Sequence, residues 1–474
     1  MNARSLATAA GLLGLMAGAV LAQSGIDSSV AERVRQVEQE RRTGLASTES
    51  YLRTTGADRN LSGWGAWFTD TYIDFSDDDH NNRVRDSLKS LNISDARLWW
   101  ATQMGPKFSS YVRAKAQNFD FGTAAGVPAP DFHILQHLDL DMGYLEYRPD
   151  VKDKVRAGRQ FTQVGRGFVL ADILDGAQYT RQQGQLELNL FYGTTPNRIL
   201  NVDTSIIGFN QGLTHHNFGF LEAAYTHRAG NRYYAYHVSQ VDHSESLNAA
   251  QAALDFRYNS SYTGIGGNIR ITPRLLLLTE AALEGGSTLA ATAGRRVDVE
   301  ASFFEALALW QLKGANDGLV QAEYAYGSGD PQRGNVTDTF GGKRNGTTDE
   351  NWLYFGRIET GLALSPRLSN LHMARVGYQQ RIRLDGRNVH PTDPLIGVKF
   401  TEYYKDHQDG AISDTLASVS AKHVGGAADA YIAWRIWSDT VLNLQYGLFS
   451  PGAAYPAGTQ DNTQRFLAST TLSF

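Results

Sequence analysis

Cations repeated at two-residue spacing carry the most chemical content in this 474-residue sequence. In "ARVGYQQRIRLD" (residues 374–385), Arg375, Arg381 and Arg383 share one face with Gln379, while Val376, Tyr378, Ile382 and Leu384 share the other. Arg97, the pair Arg113 and Lys115, Arg257, and Arg357 fall on polar faces of other alternating segments. A guanidinium can hold a carboxylate in a two-pronged fork. A surface lined by these groups would attract anionic solutes. Acids share the same faces, among them Glu187, Glu323 and Glu359. Pairing between strands to stiffen a wall is the other use of such charges.

Other reactive residues are not organised for catalysis. There is no Gly-x-Ser-x-Gly and no His-Glu-x-x-His. The "GSGD" at residues 327–330 precedes no helical pattern, so it is no phosphate cradle. "DDDH" (residues 77–80) and His215-His216 sit in polar stretches that read as hydrated loops. The absence of cysteine excludes thiolate zinc sites and disulfide scaffolds. No enzyme, metal site or cofactor is expected. A net charge of −5 gives no ground for a nucleic-acid partner.

Strands must position the cations. After residue 60 a period of two replaces the helical period. In "LELNLFY", Leu186, Leu188, Leu190 and Tyr192 oppose Glu187 and Asn189. In "VLNLQYGL", Leu442, Leu444, Tyr446 and Leu448 oppose Asn443, Gln445 and Gly447. The pattern predicts about eighteen strands, near 62–74, 93–104, 107–121, 135–147, 153–161, 176–181, 186–193, 219–227, 232–241, 254–271, 275–284, 300–312, 318–327, 351–364, 371–385, 428–437, 440–449 and 465–474. Every second connection is tight, such as "GP" at 105–106, "QQG" at 182–184, "SPR" at 365–367 and "SD" at 438–439. The others are long and polar, including 194–218, 328–350 and 386–427.

Short turns at one end and long loops at the other are the plan of an outer-membrane barrel. A strand in hydrocarbon must pair all its amides, so the sheet has to close. An arginine near the lipid midplane costs roughly 2–4 kcal/mol, which turns the charged faces inward. A soluble sandwich of this many strands would divide into units with linkers, and no Pro/Gly/Ser linker divides this chain. Aromatics cluster at strand ends, as in Trp64/Trp67, Trp99/Trp100, Tyr233/Tyr234/Tyr236 and Trp434/Trp437, which suits interfacial girdles. The terminal "QRFLASTTLSF" alternates to its last residue, Phe474, as a closing strand would.

Ahead of the barrel, residues 1–22 combine Arg4 with an apolar stretch ending in Val20-Leu21-Ala22, the form of a secretory signal peptide. Residues 23–60 form a periplasmic leader, helical or flexible, with Ile26, Val30, Val34, Val37 and Leu45 near one stripe. The expected fold is therefore all-β: a closed antiparallel transmembrane barrel over residues 61–474 in the bacterial outer membrane.

Three stretches resemble the alginate export family, eighteen-stranded outer-membrane barrels that release an acidic polysaccharide. They are "VRAGRQFTQVGRGFVLADILDGAQYTR" (residues 155–181), "EYAYGSGDPQRGN" (residues 323–335) and "YGLFSPGAAYPAGTQDNTQRFLASTTLSF" (residues 446–474). The C-terminal strand also resembles the recognition signal of outer-membrane proteins. The family resemblance implies an arginine-lined constriction, with Arg159 of "GRQ" at one such position, and periplasmic export scaffold proteins as partners. By alternation Arg159 shares a face with Val155 and Ala157, so it turns inward only if a bulge shifts the phase. Where the family carries two arginines in the penultimate strand, this chain has Asn443 and Gln445. That exchange removes charge from the implied filter. The expectation is a channel in outer-membrane lipid exporting an acidic or weakly acidic polysaccharide, with a diffusion porin for small anionic solutes as the alternative. The apolar centre of the connection after "GRQF", residues 168–170, is expected to fold into the barrel mouth and narrow it.

Overall fold

The computed structural model describes residues 61–74, 88–123, 138–196, 215–227, 230–244, 257–290, 292, 294–313, 318–336, 342–383 and 392–474. The expected signal peptide and leader lie outside the described residues. Among the described residues, nineteen strands form one sheet. In chain order they are β1 (Leu61–Asp74), β2 (Leu88–Met104), β3 (Phe108–Thr123), β4 (Leu138–Tyr147), β5 (Asp153–Gln163), β6 (Ala171–Gln183), β7 (Leu186–Thr194), β8 (His216–Thr226), β9 (Arg232–Asp242), β10 (Asn259–Thr272), β11 (Leu275–Ala290), β12 (Arg295–Gln311), β13 (Leu319–Gly327), β14 (Thr348–Asp349), β15 (Leu371–Arg381), β16 (Leu395–Lys405), β17 (His423–Trp437), β18 (Thr440–Pro451) and β19 (Thr463–Ser473). Two-residue β14 runs parallel to β12, inside a loop. The other eighteen are antiparallel neighbours and make the wall of a closed barrel.

Closure rests on β1 and β19, paired from Trp67↔Ser473 to Ile73↔Leu467. Phe474 completes the seam. Its amide donates to the Ala66 carbonyl at 2.9 Å, and its carbonyl accepts from the Ala66 amide at 3.2 Å. Its ring meets Phe68 edge-on at 6.3 Å. No amide row is left open to lipid, which is what a hydrocarbon solvent demands.

Side chains alternate between lipid and bore along each strand. Trp64, Trp100, Trp310 and Trp437 stand exposed on the outer face at the short-turn end, beside Phe108, Tyr147 and Phe474. This is one interfacial girdle. Trp67, Trp99, Tyr234 and Tyr236, expected in girdles, are buried inside instead, where they pack against inward-folded chain.

The strand count agrees with expectation because two differences cancel. Residues 351–364, predicted as a wall strand, run as irregular chain through the bore. β16, within the long polar connection expected over 386–427, takes its place in the wall between β15 and β17. The tight turn expected at 365–367 is therefore also internal, and the short-end connection after β15 spans residues 382–394.

The barrel's core is inside it. The β5–β6 hairpin leaves the wall where β5 parts from β4, at Gly143↔Arg159, and where β6 parts from β7, at Asp175↔Thr194. From there the two strands pair only with each other, up to Gln163↔Ala171. Glycines permit the departure. Gly158 has φ +125°, and a Cβ there would lie 2.3 Å from the Gly143 carbonyl oxygen. A Cβ on Gly176 would lie 2.4 Å from the Tyr192 carbonyl oxygen. The hairpin tip, Val164 with Phe168, Val169 and Leu170, packs with Trp352, Leu353, Tyr354 and Phe355 of the second inward segment and with Phe191, Phe218, Phe220 and Phe303 of the wall. Burying each large side chain contributes about 1.5–3 kcal/mol.

Two outcomes follow from this geometry. Removing Phe474 takes two backbone hydrogen bonds and a ring contact from the seam, so refolding into lipid vesicles, read as the heat-modifiable band on gels, should fall in yield. Gly158→Val places a branched side chain at a left-handed backbone position against β4. It should lower the unfolding free energy by about 1–3 kcal/mol, measured in urea with the barrel in vesicles.

Candidate constriction

Two segments cross the bore and touch. Leu170 and Phe355 form a parallel bridge. The Phe355 amide donates to the Val169 carbonyl at 2.9 Å, and the Arg357 amide donates to the Gly167 carbonyl at 2.9 Å. The wall anchors both. Glu222 of β8 accepts from the Gly165 amide at 2.7 Å, and Glu280 of β11 accepts from the Arg166 amide at 2.8 Å. The Arg166 guanidinium pairs with Glu305 of β12. Tyr234 and Tyr236 donate to the Glu280 carboxylate at 2.6 and 2.7 Å. Glu284 accepts from the Leu353 amide at 3.0 Å and from the Tyr258 and Tyr262 hydroxyls at 2.6 and 2.8 Å. Four wall carboxylates are thus spent on holding the inward segments, and removing their partners would leave buried charge unsatisfied.

Beyond the bridge, residues 357–364 reach the opposite wall. Arg375 of β15 donates to the Glu359 carbonyl at 3.0 Å and pairs with Glu323 of β13 at 3.1 Å. Lys399 of β16 pairs with the Glu359 carboxylate at 2.5 Å. Tyr403 donates to the Thr360 carbonyl at 2.5 Å. Desolvation in the bore works against charge on Glu359, but the Lys399 ammonium and the Arg375 guanidinium outweigh it and hold the carboxyl down to about 2. Gly447 of β18 lets this segment approach, since a Cβ there would lie 2.8 Å from the Ala363 nitrogen.

On the β2–β4 side, Arg97, Arg113 and Lys115 lie on the inward faces of β2 and β3. Arg97 pairs with Asp95 at 2.9 Å and with Asp141 at 3.3 Å, and Arg113 with Asp141 at 2.6 Å. Asp141 is the extra residue of a bulge in β4, opposite Arg113 and Ala114. The bulge turns a carboxylate toward two arginines, an arrangement that alternation alone does not foretell.

The remaining sequence candidates divide. Arg381 donates to the Asp393 carbonyl at 2.9 Å, near the short-turn end, and Arg383 lies just past β15. Asn443 faces Ser469 of β19 across the inner wall, and Gln445 lies on the same face opposite Leu467. Arg357 stands on the inward segment rather than on a strand. Arg257 precedes β10, outside any strand and exposed, so the structure corrects its assignment to a strand face. Arg159 keeps the phase of Val155 and Ala157. It sits at the point where the hairpin bends inward, forked onto Asp175 at 2.8 and 2.9 Å, with Asp139 at 3.9 Å. A bend of the whole hairpin, not a phase shift, brings it beside the luminal Asp139.

Arg166, Lys399 and the glutamates Glu222, Glu280, Glu284 and Glu305 were missing from the sequence candidates. Charged residues on the inner phase of strongly alternating strands, as in "ALEGG" and "FFEALA", were the available signal.

No protein-family model matches the sequence, and no curated protein matches it. Solved structures do match in fold. Acinetobacter baumannii OccAB1 gives a TM-score of 0.54 at 12% identity, covering 89% of this chain and 98% of that one. Pseudomonas aeruginosa OccK11 (OpdR) gives 0.52 at 11% identity, covering 89% and 99%. The outer membrane protein opdK from Pseudomonas aeruginosa gives 0.53 at 10% identity, covering 87% and 99%. These relatives lend no support to the alginate-export resemblance of the three motifs. What stands is the broader class: this chain is a closed eighteen-stranded β-barrel of the bacterial outer membrane.

Proposed function

We propose that the protein is a diffusion porin for small anionic solutes. The observation that carries this reading is the double obstruction of the bore. A polymer in transit needs a continuous wide passage. Here the hairpin tip and residues 352–358 meet in a packed apolar cluster, with Trp352, Phe355, Val169 and Leu170 fully buried. Held by wall carboxylates, this cluster supports passage of small solutes beside it rather than of an extended chain. The fold neighbours also favour a channel of this kind over an exporter with scaffold partners.

The preference for anions rests on which charges face the passage. The acids on β8, β11 and β12 are consumed by the inward segments, while Arg357, on the inward segment, and Lys399, paired with Glu359, keep part of their surface open at the edge of the constriction. Lys115 is likewise partly open on β3. Transport of this kind runs down a gradient and calls for no cofactor or catalysis.

Planar-bilayer recordings under a salt gradient test the reading. The expected reversal potential has the sign of anion preference, and Lys399→Glu should move it toward cations. A pore that is strongly cation-selective before any substitution overturns the proposal. Replacing residues 164–170 with two glycines should raise single-channel conductance. Unchanged conductance would exclude a constricting role for the hairpin.

A further inference from the structure

Below the constriction, the inner wall carries a block of leucines that faces water. Leu276 and Leu278 share the inward phase of β11 with the buried Glu280 and Glu284, whereas Leu283 on the other phase is exposed to lipid. Leu307 and Leu309 share the inward phase of β12 with Phe303 and Glu305, whereas Trp310 points outward. The register sets Leu276 opposite Leu309 and Leu278 opposite Leu307. The four side chains form a two-by-two patch, and each keeps part of its surface open. None joins the buried cluster that seats the inward segments. A solvated apolar patch on the polar side of a barrel wall is costly.

The patch lies at the short-turn end, next to the tight β10–β11 turn. Residue 61 opens β1 at the same end, because Leu61 pairs with Gln103 beside the β2–β3 turn. The chain preceding it therefore starts at the mouth nearest the leucines. That chain includes the apolar stripe Ile26, Val30, Val34 and Val37, the last two within "ERVRQVEQERR" (residues 32–42). Residues 46–60, if extended, reach about 50 Å. An eighteen-stranded barrel of tilted strands roughly 4.8 Å apart is about 35 Å across. The tether is long enough for the stripe to reach β11 and β12 from β1.

We propose that the stripe of residues 26–37 docks on Leu276, Leu278, Leu307 and Leu309 from the periplasmic side, covering the patch. The apolar stripe meets the leucines, and Glu32 and Arg35, on the far side of a 3.6-residue period, turn to the aqueous lumen. The inference depends on the barrel and on the leader's stripe, not on the identity of the solute.

The chain has no cysteine, so introduced pairs report docking without background. In the full chain in outer membranes, Val34→Cys with Leu307→Cys should form a disulfide under mild oxidation. So should Val30→Cys with Leu276→Cys, which guards against one variant failing to assemble. Val34→Cys with Leu283→Cys, on the lipid face, should not. Crosslinks absent from both luminal pairs overturn the proposal. Equal crosslinking to Leu283→Cys overturns it as well. So does protection of the leucines by an added apolar anion, such as decanoate, in a barrel lacking residues 23–60, with no luminal crosslink in the full chain; there the patch would be a solute subsite. A cation-selective pore that still crosslinks would defeat the porin reading and leave this one standing.

Discussion

Lipid offers no partner to a peptide group, and the architecture follows from that single constraint. Each unsatisfied amide or carbonyl in hydrocarbon costs several kcal/mol, so β1 must find β19 and no edge can remain. Once the sheet is closed, one face of every strand meets lipid and the other encloses space. The apolar outer face gains nothing from burial in protein. Stability beyond the hydrogen-bonded wall has to come from inside, which is where Trp352, Phe355, Tyr262 and Phe303 are packed.

An eighteen-stranded wall cannot fill its own interior with side chains. The chain supplies the filling from two loops. Each brings backbone groups into the bore that would be orphaned there, and wall side chains satisfy them. Glu222 and Glu280 take the hairpin-tip amides, Glu284 takes the Leu353 amide, and the Tyr262 hydroxyl oxygen lies 2.7 Å from the Leu353 carbonyl. Acidic wall residues that look like a cation lining in sequence act here as hydrogen-bond acceptors for inserted chain. The charge presented to solute is then set by what those contacts leave open.

Sequence periodicity revealed the wall and concealed the filling. Where a strand faces lipid on one side and water on the other, as in β7 and β18, alternation was legible and the inward residues were readable by phase. Residues 351–364 misled because "NWLYFGRIETGLAL" has the aromatic and β-branched content of a strand. Its apolar side chains answer to an internal core that composition does not reveal. β16 was legible in principle: Val398 and Phe400 alternate with Lys399 and Thr401. Its setting in a long polar stretch, residues 386–427, masks that alternation. Asp141 and Arg159 were not legible, since a bulge and a hairpin bend, both tertiary, decide where they point.

The pairing of charges narrows what the cations can mean. Arg97 and Arg113 are fully buried against Asp95 and Asp141, and Arg375 is nearly so against Glu323. A buried guanidinium held by a carboxylate presents almost no field to a passing solute, and its loss would be felt as instability before it was felt as altered selectivity. The cations with open surface beside the constriction are Arg357, carried on the inward segment itself, and Lys399, which the segment's Glu359 pairs but leaves partly open. A ladder of arginines in sequence therefore overstates the anionic pull of the pore. The cations that keep open surface lie at the segment's edge, and their position depends on the same inserted chain that narrows the bore.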